Sequence, residues 1–148
     1  RKESSAASDV YKRQAWDSDD EALAYFRAKK VFAQWHPQVL QDYVQGGLAD
    51  VDGRRMLHFT REVETAIYNT LPHNLASLLH HHPLRCPAAF IGGRASVEMR
   101  QVGMDLTRRI TRGRVMMLDG SHLFPMERPH ATAAAIEASL LNLLGPEG

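Results

Sequence analysis

The spacing of apolar positions changes character once along the chain. From Ser18 to His82 they recur at intervals of three and four, as on one face of a helix. Ser18 predicts an N-cap, Asp19, Asp20 and Glu21 complement the macrodipole in the first turn, and Ala22, Tyr25, Phe26 and Phe32 follow on the apolar side. Pro37 predicts the first residue of a second helix, with Val39, Leu40, Tyr43 and Val44 on one face and Gly46 and Gly47 ending it. Asp52 and Gly53 turn the chain into a short apolar stretch around Met56, Leu57 and Phe59. Thr60 is the expected cap of a helix containing Val63 and Ile67, which Pro72 stops. Asn74 opens one more helix through Leu75, Leu78 and Leu79, running out in His80, His81 and His82.

At Cys86 the pattern becomes a continuous apolar run to Gly93, bounded by proline and glycine, as buried parallel strands read. Ser96 then caps a helix whose stripe is Met99, Val102, Leu106 and Ile110, ending at Gly113. A second buried strand is expected from Arg114 to Asp119, and a last helix from Pro129, with Ala133, Ile136, Leu140 and Leu144 facing inward. Strand, helix, strand, helix implies a parallel pair joined by a right-handed crossover. Such strands are buried on both faces, so the pair calls for neighbouring strands that the text does not clearly supply.

Composition narrows the picture. With 148 residues, 44% of them apolar, the chain can bury one ordinary core. Its 18 basic residues are interspersed with 17 acidic ones, so no basic face that would track phosphates is visible and nucleic acid is not an expected partner. No apolar run approaches the roughly 20 residues that span a bilayer. The single cysteine, Cys86, has no internal disulfide partner and reads as a small buried residue, which favours a reducing, cytoplasmic setting. The first 15 residues, RKESSAASDVYKRQA, carry neither period and do not open with methionine. They are expected to be an unstructured, non-native leader, and SDVYKRQ resembles the adapter-derived tail of some assembled gene sequences, which implies a protein continuing upstream.

The segment MMLDGSHLFPMERPHATAAAIEASL carries the chemistry: a buried strand ends at Asp119, turns through Gly120 and Ser121, and presents His122 before the last helix. Reactive groups in open α/β sheets collect at the carboxyl ends of strands, and a histidine there is suited to general base work. Gly-x-His, an apolar pair, Glu127, Pro129 and an Ala/Leu helix together resemble the last strand and helix of α/β-hydrolases. The run Pro87 to Gly93 with its helix resembles the penultimate pair, and 16–82 resembles a helical cap, so about nine tenths of the chain is covered. FAQWHPQVLQDYVQGGL and GSHLFPMERP lean toward lipase-like or epoxide-hydrolase-like members.

The resemblance implies an α/β fold, specifically a partial α/β-hydrolase. A leader at 1–15 and a cap at 16–82 precede 83–148, the C-terminal part of the core. It also implies an ester-like or related small apolar substrate for the whole enzyme, with no cofactor or metal. His122 becomes the general base that serves a serine nucleophile or activates the water that resolves an aspartyl intermediate. No Gly-x-Ser-x-Gly elbow occurs in the sequence, so the chain is expected to be inactive alone. After the penultimate strand, where the family's acid usually sits, Gly92-Gly93-Arg94-Ala95-Ser96 offers no carboxylate. Glu98 is the nearest candidate, with a helix-stabilising role as its alternative. Asp105 and Asp119 are less favoured, and Glu127 is read as a support for the loop and last helix.

Phe32, Trp35 and Tyr43 are candidates for an apolar substrate pocket, or for ordinary core. His80, His81 and His82 are consecutive and cannot all face one metal from a helix, so a solvated helix end is expected. Two rival functions are a non-catalytic α/β interaction or ligand-binding module, and an anion site at Gly92 to Ser96 before a helix N-terminus.

Overall fold

Each of the segments that the sequence punctuates with Ser, Pro or Gly becomes a separate element in the computed structural model, which describes residues 15–59, 61–70 and 74–145. The chain divides after Thr70 into two compact units.

The first unit contains β1 (Ala15–Trp16), α1 (Asp19–Arg27), α2 (Pro37–Gly47), β2 (Leu48–Val51), β3 (Arg54–Leu57) and α3 (Arg61–Asn69). Ser18 caps α1 as its position predicts: its Oγ accepts from the Glu21 amide at 3.2 Å, while the Glu21 carboxylate accepts from the Asp17 amide at 2.7 Å. Pro37 occupies the first turn of α2, and His36 Nδ1 accepts from the Gln38 amide at 3.3 Å. The region expected to be helical, apart from a turn and a short apolar stretch, contains a hairpin there. Asp52 and Gly53 both take positive φ, 54° and 75°, the geometry of a two-residue hairpin turn, and Asp50 Oδ1 accepts from the Gly53 amide. The strands it joins complete an antiparallel sheet ordered β1-β3-β2, with Ala15 paired to Met56 and Leu48 to Leu57. Four-residue strands are too short to show a period, so the text read there only as a turn and an apolar stretch.

Trp16, Ala22, Phe26, Leu40, Val44 and Leu48 form the buried core of this unit. The leader expected at 1–15 lies outside the described residues except for Ala15, which is in β1. The Thr60 cap and the Pro72 stop lie outside them as well.

The second unit contains α4 (Leu75–His81), β4 (Phe90–Gly93), α5 (Val97–Val102), α6 (Asp105–Thr111), β5 (Val115–Leu118), α7 (Phe124–Glu127) and α8 (Pro129–Leu143). β4 and β5 are parallel, with Phe90 opposite Val115 and Gly93 opposite Leu118.

Three expectations change here. The helix expected from Ser96 to Gly113 is broken into α5 and α6, because Gly103 leaves helical space at φ 79° and its amide closes α5 onto the Met99 carbonyl. Val102, placed on the inward stripe, is instead 87% exposed. On α8 the buried positions are Thr132 and Ala135, with Ser139 and Leu143 half-buried along the same face. The packed face thus lies one residue, about 100°, from the expected one, and Ile136, Leu140 and Leu144 are exposed. A helix made mostly of Ala and Leu gives periodicity little contrast from which to choose a face. Cys86, expected to be buried, is exposed, since β4 begins only at Phe90. Among the described residues no helix is long and apolar enough to cross a membrane.

Candidate active site

The turn after β5 is built to hold His122 still. The Ser121 amide donates to Glu127 Oε2 at 2.9 Å, the Ser121 hydroxyl donates to Glu127 Oε1, and the Leu123 amide donates back to Ser121 Oγ at 3.0 Å. Glu127 therefore supports the loop, as its position predicts. β4 comes close against this turn: the Arg94 amide donates to the Leu118 carbonyl at 2.8 Å and the Ala95 amide to the Gly120 carbonyl at 2.9 Å. Gly93 makes that approach possible, since a Cβ there would overlap the Ser121 carbonyl and stand 2.7 Å from that of Gly120.

Across this junction lies the carboxylate that the sequence offers as a candidate. Ser96, almost fully buried, caps α5 by accepting from the Met99 amide at 3.2 Å and donates its hydroxyl to Glu98 Oε2 at 2.9 Å. Glu98 Oε2 in turn lies 3.9 Å from His122 Nδ1, with the side chains 57% and 62% exposed. That separation is an ion-pair distance and too long for a hydrogen bond. The amide of Glu98 itself, then the Ser96 hydroxyl, and to a smaller extent His122 hold the Glu98 carboxyl below the usual glutamate range, against a small opposing desolvation. The carboxylate thus stands on the Nδ1 side of the ring, and Nε2 is not in that contact.

Other groups are engaged elsewhere. Asp119 pairs with Arg94 at 3.4 Å. The Arg94, Ala95 and Ser96 amides go to the carbonyls of Leu118, Gly120 and Gly93, so the amides an anion would need at Gly92 to Ser96 are already spent. His81 Nδ1 bonds the Ser77 carbonyl at 2.8 Å and its ring stands edge-on to that of His80, the solvated helix end expected there. Phe32, Trp35 and Tyr43 lie in the first unit as a mutual cluster, Phe32 to Trp35 at 4.8 Å and Trp35 to Tyr43 at 5.4 Å between ring centroids, packed against the core around Phe26. Burial, followed by the charge of Glu64, raises the Tyr43 phenol above its ordinary value. The Ser96 hydroxyl as the partner of Glu98 was not foreseen. Its signal is the Ser-x-Glu spacing itself, since a capping serine accepts from the backbone and still has its proton to give.

No protein-family model matches the chain, and no curated protein matches it by sequence. Two solved structures are similar. E-2-(acetamidomethylene)succinate hydrolase superposes with a TM-score of 0.70 at 18% identity, over 89% of this chain and 47% of that one. The peroxisomal α/β-hydrolase Lpx1 from Saccharomyces cerevisiae superposes with a TM-score of 0.65 at 18% identity, over 90% of this chain and 38% of that one. The chain therefore spans less than half the length of the solved structures it matches, and its fold is a partial α/β-hydrolase fold.

Proposed function

We propose that this chain is the part of an α/β-hydrolase that supplies the general base, His122, to an enzyme cleaving an ester-like or related small apolar substrate. The observation that carries the proposal is the position of His122 directly after the carboxyl end of β5, with Nδ1 turned to the ionised Glu98. The nucleophile belongs to a Gly-x-Ser-x-Gly elbow or its aspartate counterpart, and no Gly-x-Ser-x-Gly pentapeptide occurs among the 148 residues. In the serine form, the hydroxyl proton passes to His122 Nε2 as the oxygen attacks the substrate carbonyl. The same proton then leaves with the alcohol; His122 next takes a proton from the water that attacks the acyl carbon and returns it to the serine oxygen as the acid departs. Glu98 stabilises the imidazolium that forms at each stage. Phe32, Trp35 and Tyr43 offer an aromatic surface of the kind that lines acyl pockets. One of the two similar structures is a hydrolase of a small molecule, which supports a substrate of that size.

The 148-residue chain alone is expected to leave p-nitrophenyl acetate at the background rate. Within a longer reading frame that adds a nucleophile elbow, His122→Ala is expected to lower kcat/KM on the order of 10⁴- to 10⁶-fold, as loss of a catalytic histidine does. Turnover by the chain alone that disappears in His122→Ala would overturn its dependence on a missing nucleophile. Full activity of His122→Ala in the longer frame would overturn the role of His122.

A further inference from the structure

At the amino ends of β4 and β5, the end opposite His122, the second unit has an open pocket of about 540 Å³ whose arginines are exposed to solvent. Its size is that of small-molecule sites, commonly about 300–1,000 Å³. Leu79, Leu84 and Ile110 give it an apolar side, and Arg85, Arg109, Arg112 and Arg114 also line it. The chain as a whole is nearly neutral, yet the residues that line this pocket include four arginines and no aspartate or glutamate. Among the described residues none of the four arginines has an acidic partner.

The C-terminus of α6, where Arg109 and Arg112 sit, explains only part of this concentration, because a helix end presents about half a negative charge. Four arginines on one pocket with no carboxylate among its lining residues give it a positive charge that an anion would offset. Guanidinium forks match phosphate and carboxylate oxygens alike, so charge decides between these ligands. A phosphate ester carries about 1.5 to 2 negative charges at neutral pH, so two phosphoryl groups match four arginines where a dicarboxylate neutralises two.

We propose that this cavity binds a small organic molecule carrying two phosphoryl groups. The phosphoryl groups lie on Arg85, Arg109, Arg112 and Arg114, and the apolar or aromatic body lies against Leu79, Leu84 and Ile110.

Cys86, the only cysteine of the chain, is exposed and lines the same cavity, which makes it a reporter of occupancy. The 148-residue chain is alkylated with iodoacetamide while ADP, inorganic pyrophosphate, succinate or sodium chloride is titrated at constant ionic strength. ADP is expected to slow alkylation of Cys86 at least fivefold at saturation, with pyrophosphate weaker and succinate no better than chloride. In Arg109→Ala/Arg114→Ala the protection by ADP is expected to vanish. Arg85→Ala, in the loop outside any helix or strand, should weaken it at least threefold with the far-ultraviolet circular dichroism unchanged. Protection by ADP no greater than by chloride would overturn the proposal, as would equal protection in Arg85→Ala. Succinate protecting as well as pyrophosphate would overturn the phosphoryl assignment. A single-stranded oligonucleotide that binds more tightly than ADP would overturn the small-molecule assignment.

Discussion

The two units of this chain are each held together in a different way. In the first, Trp16, Phe26, Leu40, Val44 and Leu48 close over one another, and two salt bridges, Arg55 to Asp19 at 2.6 Å and Arg54 to Asp17 at 3.0 Å, tie the hairpin to the first strand and helix. In the second, the buried side chains among the described residues are mostly polar: Ser96, Thr111 and Thr132, with Ala135. Its two strands are only half-buried for most of their length, and its last helix shows Ile136, Leu140 and Leu144 to solvent. The unit that holds the histidine and its carboxylate is thus the one with the thinner core. The residues on either side of His122, Ser121 and Leu123, are tied by short hydrogen bonds instead.

The sharpest way to break this comparison is to remove one large side chain from each unit. Phe26→Ala should cost the first unit about 3–5 kcal/mol, as deletion of a buried aromatic does. Leu140→Ala, exposed on α8, should stay within about 0.5 kcal/mol. Both tryptophans, Trp16 and Trp35, lie in the first unit, so their fluorescence in urea reads that unit alone while circular dichroism reads both. Equal losses in the two variants would show that the second unit has a core as tight as the first.

A smaller effect tests the turns. Gly93→Ala should cost about 1–3 kcal/mol, the usual cost of overpacking, by pushing the Gly120–Ser121 carbonyls away from β4. The amide resonances of Ser121 and His122 should shift with it. A thermal melt and amide shifts indistinguishable from the wild type would mean that the junction yields freely.

The smallest expected effect is the pH dependence at Glu98. Its carboxyl titrates below the ordinary glutamate value, so the linked stability is complete above about pH 4.3 and is lost as pH falls through the lower folded value. Glu98→Gln should therefore melt below the wild type at pH 6 and draw level with it toward pH 3. Ser96→Ala should move the Glu98 titration back toward the ordinary range, followed by carboxyl carbon shifts. A gap between wild type and Glu98→Gln that stays constant down to pH 3 would remove the ionised carboxylate from the site.

The parts of the fold legible in sequence were those written in local chemistry. Ser18, Ser96, Pro37 and Pro129 mark helix starts because each satisfies or removes a first-turn amide within a few residues. In the sequence Glu98 is only the nearest candidate, because the family's usual acid position carries no carboxylate here; it stands 24 positions from His122 and comes within 3.9 Å of it where β4 and β5 pair in register. What escaped depended on distant partners. The face that α8 buries is chosen by what packs on it, and an Ala/Leu sequence leaves that choice open. The arginines around the cavity are spread over 85–114 in sequence, and only the pairing of the two strands gathers them.

That pairing has a kinetic side as well. Val51 meets Arg54 across a two-residue turn, whereas Gly93 meets Leu118 only after two intervening helices have folded back. By the logarithmic cost of loop closure, the parallel pair starts about 2 kcal/mol behind the hairpin. The hairpin can therefore form in microseconds while the chain is still searching for the β4–β5 register. During synthesis the hairpin also leaves the ribosome before the segment that bears His122, so the antiparallel pair has a head start on the parallel one.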